Sequence, residues 1–260
     1  SEYEHLGYGK LTNVVTNAEF EKIAKTGKVP ARVAFVQSPG GKDNDKDFPY
    51  CNSVTSMVAL KQANYVVEDN PVDGTAYVLY QHMRTPGNTE LFYKGMQAKD
   101  GVFMTKAAVT KVSASGSSLV VDVEDNLLGE DLQLEVDMVV LAAGMVPTTV
   151  ADPVINLAYR QGPAFLDLDL FDGYADSHFI CFPYETRRTG VYTCGGVRKA
   201  ETMEETIDDA TGAALKAIQC IESANRGVSV HPRSGDMTYP EFFFQRCTQC
   251  KRCTEECPFG

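Results

Sequence analysis

Three short apolar runs constrain the fold of this chain more than any other feature: Arg32-Val-Ala-Phe-Val-Gln37, Ala76-Tyr-Val-Leu-Tyr80 and Met138-Val-Val-Leu-Ala142. None alternates apolar with polar, as expected of strands covered on both faces. Between the first two, Ser53–Val67 carries Val54, Met57, Val58 and Tyr65 at helical spacing. Strand, helix and strand in that order predict a parallel βαβ unit. From Leu91 the pattern changes to Leu91–Tyr93, Val102–Thr105, Val109–Val112, Leu119–Val123 and Leu132–Val136, punctuated by Gly95, Gly101, Gly116 and Gly129. That spacing predicts an antiparallel meander before the return strand at Met138. Ahead of all this, Thr16-Asn-Ala-Glu19 fits a capping box opening a short helix, with Phe20, Ile23 and Ala24 inward. The fold class is therefore α/β, a parallel sheet of the dinucleotide-binding type with an antiparallel meander.

Residues 151–226 form a further unit. Phe179–Phe182 is a short apolar run, Tyr184–Gly190 a turn, and Val191–Cys194 a strand running into Gly195-Gly196. Thr202-Met-Glu-Glu205 then caps a helix predicted to bury Ile207, Ala210, Ala214, Ile218 and Ile221 on one face. A strand, a glycine pair and a helix can let backbone N–H groups approach an anion. The same pattern also suits a tight connection without a ligand, and spacing alone does not separate the two.

The chain closes on Cys247-Thr-Gln-Cys250-Lys-Arg-Cys253-Thr-Glu-Glu-Cys257-Pro258, which reads C-x2-C-x2-C-x3-C-P. This is the spacing with which ferredoxin-type segments wrap three thiolates around one [4Fe–4S] cluster and direct the fourth to a second cluster. A zinc knuckle or a disulfide pair is the alternative for Cys-x2-Cys pairs. No second run follows before Gly260. The chain is accordingly expected to be a fragment of a longer polypeptide, with its cluster site incomplete. Four of eight cysteines sit in this run, which suggests metal chemistry in a reducing, cytoplasmic compartment rather than a disulfide framework. Cys51, Cys181, Cys194 and Cys220 are scattered and expected in ordinary buried positions. A net charge of −11 argues against nucleic acid as a partner, since phosphate binding needs a basic surface. No apolar run approaches the ~20 residues of a membrane span, so direct membrane insertion is not expected.

The sequence resembles the A-subunit family of heterodisulfide reductase, and within that group the quinone-interacting membrane-bound oxidoreductase flavoproteins. The likeness runs through Tyr8–Asn17, Glu19–Glu21, Val33–Gln37, Tyr50-Cys51 and Leu141–Gly144, and is most specific in Phe182-Pro-Tyr-Glu-Thr-Arg-Arg-Thr-Gly-Val-Tyr192 and the cysteine run. It implies a flavoprotein reductase fold of two dinucleotide-binding domains. It also implies electron transfer between FAD and [4Fe–4S] clusters within a multi-subunit complex, in sulfate reduction for the quinone-interacting group. Other redox subunits, cytosolic or membrane-associated, are the implied partners. Residues 1–29 are expected to be a lead-in and helix, 30–150 the nicotinamide-type domain, 151–226 the C-terminal part of the FAD domain, and 227–260 a linker with the truncated cluster motif.

The cofactor-binding residues implied are Gly144 and Pro147 after the return strand, then Glu185, Thr186, Arg187, Arg188, Gly190, Gly195 and Gly196 beside the flavin. The metal ligands implied are Cys247, Cys250, Cys253 and Cys257, with no catalytic side chain required. Three departures from the family pattern are visible. The Gly-x-Gly-x-x-Gly fingerprint is absent and would lie upstream of Ser1, so this chain alone is expected to bind FAD weakly or not at all. A middle-domain cluster site keeps Cys51 but has Ser38, Thr55 and Ser56 in place of its other thiolates. The usual Gly-Asp ending of the second flavin motif is Gly195-Gly196, without the carboxylate. The competing reading is a degenerate, non-catalytic dinucleotide fold that serves as a scaffold for partner redox subunits.

Overall fold

The structure, a computed structural model, describes residues 3–37, 52–145, 147–150, 174, 183–186, 190–228 and 248. The expectations for Ser38, Cys51, Phe179–Phe182, Cys181, Arg187, Arg188 and the cysteine run Cys247, Cys250, Cys253 and Cys257 lie outside these residues. The chain divides into two compact units, Ser1–Val146 and Pro147–Gly260.

In the first unit, β1 (Val14–Thr16) leads into α1 (Asn17–Thr26), whose N-terminus is closed by the Thr16/Glu19 capping box. Next come β2 (Arg32–Gln37), α2 (Ser53–Asp69), β3 (Thr75–Tyr80) and α3 (Thr89–Gln97). The unit ends with β4 (Val102–Ser115), β5 (Ser118–Asp125), β6 (Glu130–Val136) and β7 (Met138–Ala142). These form one sheet in the order β1-β7-β2-β3-β4-β5-β6. The pairs from β1 to β4 are parallel, and β4, β5 and β6 pair antiparallel.

The apolar runs explain this arrangement, because β2 and β7 are buried on both faces. Val33 and Phe35 of β2 join Phe20 of α1 and Ala59, Leu60, Ala63 and Val66 of α2 in one core cluster. Ala34 and Val36 point the other way, into a second cluster with Val112, Leu119, Val121, Val123 and Val136 of the antiparallel strands. Helices thus cover one face of the parallel sheet and the meander folds over the other. Phe20 and Phe35 meet edge to face at 5.5 Å, and each fully buried side chain of this size contributes ~1.5–3 kcal/mol. Arg32, at the start of β2, ties the layers together. Its Nη2 lies 2.7 Å from Asp137 Oδ1, and its backbone N–H donates to Asp137 Oδ2 at 3.0 Å.

Two expectations are corrected here. Leu91–Tyr93 is not a strand but part of α3; the Pro86–Asn88 turn before it, with Thr89 Oγ1 donating to Pro86 O at 2.6 Å, starts a helix instead. Val102–Thr105 and Val109–Val112 are one continuous strand, β4. Its first half pairs with β3 and its second with β5, and a bulge between Val109 and Lys111 re-aims it.

In the second unit, a bridge between Glu185 and Tyr192 closes a short hairpin, and the chain then passes through a 3-10 turn at Gly195–Val197. Helix α4 (Met203–Asn225) follows, opened by the Thr202/Glu205 capping box. The expectation that Ile207, Ala210, Ala214, Ile218 and Ile221 face inward is overturned. All five are exposed, the three isoleucines by more than half. The inner face of α4 is instead the one bearing Asp209 and Ala213, and ion pairs from Asp209 to Arg198 and from Lys216 to Glu185 join the helix to the turn and hairpin. Cys194 is exposed rather than buried and Cys220 is half-buried, both as free thiols.

Candidate functional site

The hairpin is built by its own hydroxyls and amides. Thr186 N–H and Oγ1 both donate to Val191 O, at 3.3 and 2.8 Å, and Thr193 N–H donates to Tyr184 O at 2.9 Å. Tyr184 sits at φ 68°, a left-handed conformation that a non-glycine residue adopts only under tertiary constraint. The constraint is visible around its ring. Arg198 lies over it with the guanidinium carbon 4.8 Å from the centroid, and Gly212 of α4 lies against it so closely that a Cβ there would overlap the ring.

The Gly195–Val197 turn is fastened to α4 through Asp209. Gly195, at φ +68°, donates its N–H to Asp209 Oδ2 at 2.9 Å, and Asp209 Oδ1 lies 3.3 Å from Arg198 Nη2. Both side chains are almost wholly buried, at 6% and 5% exposure. The chain therefore supplies its own anion to the Gly195 amide, where spacing alone left open an anionic ligand. Glu204 and Glu205 occupy the first turn of α4 and already complement its helix dipole. Gly196 is exposed, and a Cβ there would meet nothing within 4 Å.

Among the other residues singled out from sequence, Glu185 is buried and takes a hydrogen bond from Lys216 Nζ of α4 at 3.1 Å. Burial pushes its carboxyl up, opposed by Lys216. Gly190, at φ +81°, turns the hairpin beside Cys220. Burial also raises the phenol of Tyr192, with the Cys220 thiol adding to the effect. Gly144 is half-buried just past the end of β7 in the first unit, while Pro147 is buried at the start of the second. The hairpin, turn and α4 thus bring Glu185, Thr186, Gly190, Gly195 and Gly196 into one unit.

Sequence reading missed Arg198, Glu201 and Asp209. Glu201 is 1% exposed at its side chain, 3.7 Å from Lys199 Nζ, and both its carboxylate oxygens lack a hydrogen-bond partner. Its carboxyl is pushed up by burial first and by Asp209 second, while Lys199 and Arg198 pull it down. Arg198 Nε and Nη1 are likewise buried without partners, as is Thr193 Oγ1. Unsatisfied buried groups of this kind are rare in proteins and call for an explanation.

In the first unit, Thr55 and Ser56, which the resemblance sets at the positions of two thiolates, lie in the first turn of α2. Thr55 completes the capping box of α2 with Asn52. Ser56 is fully buried, donates to Gln37 Oε1 at 3.2 Å and accepts from Arg84 N–H at 3.2 Å. Both hydroxyls are engaged by the protein. Among the described residues, no group of histidine, cysteine and acidic side chains is placed to hold a metal ion, and no helix is long and apolar enough to cross a membrane.

No protein-family model matches the chain. It is 27% identical over its whole length to the second iron-sulfur A-subunit of the CoB–CoM heterodisulfide reductase of Methanopyrus kandleri. It is 30% identical over 98% of its length to the A-subunit of the H2:CoB-CoM heterodisulfide, ferredoxin reductase of Methanothermobacter marburgensis. The chain is a homologue of the heterodisulfide reductase A-subunit. It spans 40% and 39% of the length of these two relatives. Thioredoxin reductase of Lactococcus lactis superposes on 84% of this chain and 59% of its own, with a TM-score of 0.50 and 12% identity. At that identity the likeness concerns fold alone, and the fold is that of the FAD/NAD(P)-binding flavoprotein reductases.

Proposed function

We propose that this homologue of the heterodisulfide reductase A-subunit belongs to an oxidoreductase component that passes electrons between a flavin and [4Fe–4S] clusters inside a larger complex. One observation carries the reading. The four-cysteine run Cys247–Cys257 lies in a chain similar throughout to a relative named as an iron–sulfur subunit. Cys247, Cys250 and Cys253 would hold one cluster and Cys257 would reach a second. FAD is the flavin the reading names, beside the hairpin and the Gly195–Val197 turn. The unpartnered buried atoms of Arg198 and Glu201 fit a ligand rich in hydrogen-bonding groups. A flavin, when bound, supplies the exchange between two-electron and one-electron chemistry.

The chain's own side chains then bind and orient. Arg198 and Gly212 fix the Tyr184 ring and the Thr186 bonds hold the hairpin, and Arg187 and Arg188, next in sequence after Thr186, would supply positive charge. Partner redox subunits would dock on the assembled protein, since two relatives are named as one subunit of a heterodisulfide reductase. A role in sulfate reduction, like that of the quinone-interacting group, is part of this proposal.

A scaffold without redox chemistry is the second reading. It is favoured by the Gly195 amide already bonded to Asp209 and by the Thr55 and Ser56 hydroxyls bonded within the protein. The two readings separate on protein produced anaerobically from its complete reading frame and assayed for flavin, iron and acid-labile sulfide. The electron-transfer reading expects bound flavin and about four iron atoms for each [4Fe–4S] cluster, with iron lost in Cys247→Ser and Cys253→Ser while flavin stays. Colourless protein without iron supports the scaffold.

A further inference from the structure

We propose that the Leu127-Leu128 turn between β5 and β6 is a docking point for another protein, one whose matching surface is an apolar recess edged with lysine or arginine. The inference rests on the reading above that the chain works inside a larger complex. The two leucines stand side by side at the tip of the hairpin, 65% and 66% exposed. The turn beneath them is fixed. Asp125, 2% exposed, accepts from the Leu127 and Leu128 amides at 2.8 and 2.9 Å and from Thr105 Oγ1 at 2.6 Å. The Gly129 amide donates to Asp125 O at 2.9 Å, with Gly129 at φ +74°, and the Asn126 amide donates to Lys106 O at 2.9 Å. A loose tip would let its leucines settle on the sheet; this one anchors their backbone and leaves them in water. Apolar side chains presented on an ordered backbone lose little further freedom on binding, so the contact is preorganised.

The charges around the leucines say what covers them. Asp122 and Glu124 of β5 lie opposite Gln133 and Asp131 of β6, and Glu130 opens β6 directly after the turn. Asp122, Glu124 and Asp131 also line an open hollow of about 500 Å³ with Thr110 and Gln133. Four carboxylates thus stand against two cations on the neighbouring strand, Lys106 and Lys111 of β4. A frame that is net negative repels the anionic headgroups of a membrane surface. Two copies meeting turn to turn would bring the same acidic frames together, which disfavours self-association here. An apolar centre with an acidic rim fits a protein surface of the same plan and opposite charge.

The experiment uses the complex purified anaerobically on tagged protein from the complete reading frame. The photo-cross-linker p-benzoylphenylalanine replaces Leu128 in one preparation and Val72, 97% exposed in the turn after α2, in another. Peptides joined on illumination are sequenced by mass spectrometry. The expected result is a cross-link from the Leu128 position, well above that from the Val72 position, to an apolar peptide of a partner subunit flanked by lysine or arginine. The double variant Leu127→Ser, Leu128→Ser should lower recovery of that subunit about tenfold, as two apolar contacts are withdrawn. Its melting temperature without partners should match the wild type, because neither leucine is in the core. Glu130→Lys should lower recovery as well, since it sets a cation against the basic rim. Cross-linking no stronger at Leu128 than at Val72 overturns the inference and leaves the complex standing. So does a cross-link to lipid, to a second copy of this chain or to a peptide without basic residues, and so does unchanged recovery in the leucine variant. Tagged wild type that brings down no redox subunit overturns both.

Discussion

Replacing Asp209 with alanine should unfold the second unit more readily than any surface substitution in α4. Asp209 is 5% exposed and satisfies two donors at once, the Gly195 amide at 2.9 Å and Arg198 Nη2 at 3.3 Å. Removing it leaves a guanidinium buried without its ion-pair partner, which typically costs ~3–5 kcal/mol. At a urea slope near ~2 kcal/mol per molar, the unfolding midpoint falls by about 2 M. The chain has no tryptophan, so circular dichroism is the probe for the loss of α4. The double variant Arg198→Met, Asp209→Leu removes both charges and should recover about 2 kcal/mol of the loss. The remainder reflects the Gly195 amide left without an acceptor, ~1–3 kcal/mol. A midpoint shift under about 0.5 M for Asp209→Ala would refute the buried pair as the fastening of this turn. So would a double variant no more stable than the single one.

Ser56→Ala should destabilise the first unit by ~1–3 kcal/mol in the same assay, because Gln37 Oε1 and the Arg84 amide both lose a partner in the core. Cys51→Ser should leave iron content unchanged, since the neighbouring Thr55 and Ser56 hydroxyls are committed to protein hydrogen bonds; iron analysis of that variant decides it. Asp125 accepts from Thr105 Oγ1 at 2.6 Å and from the Leu128 and Leu127 amides, and these bonds hold its carboxyl below the ordinary range. Its contribution is complete above the unfolded-state value near ~4 and is lost as pH falls through the lower folded value. The gap in urea midpoint between wild type and Asp125→Asn should therefore be wide at pH 7 and narrower at pH 3; a gap that does not change with pH would be the opposing result.

The first unit was readable because its strands are nearly pure apolar runs. Arg32–Gln37 and Met138–Ala142 have no polar alternation and become β2 and β7, buried on both faces. Two of the three capping boxes among the described residues, Thr16/Glu19 and Thr202/Glu205, were equally legible, since each needs only local geometry, while Asn52/Thr55 lacks the usual acidic residue. Leu91-Phe-Tyr misled because leucine and aromatics suit strands, while the turn before them set the helix. The bulge that joins two expected strands into β4 has no sequence mark at Thr110. Apolar periodicity on α4 found a real stripe but assigned it to the wrong side. Arg198, Glu201 and Asp209 went unmarked, because a sequence does not show which ions a fold withdraws from water.

The most direct test of the electron-transfer account is an anaerobic reductive titration of the protein from its complete reading frame, followed by absorbance and electron paramagnetic resonance. The account predicts a bleachable flavin band over a broad cluster absorbance, and a signal of reduced [4Fe–4S] that grows as electrons enter and is lost in Cys250→Ser. A protein with flavin but no cluster signal, or with a cluster signal that survives Cys250→Ser unchanged, would contradict it.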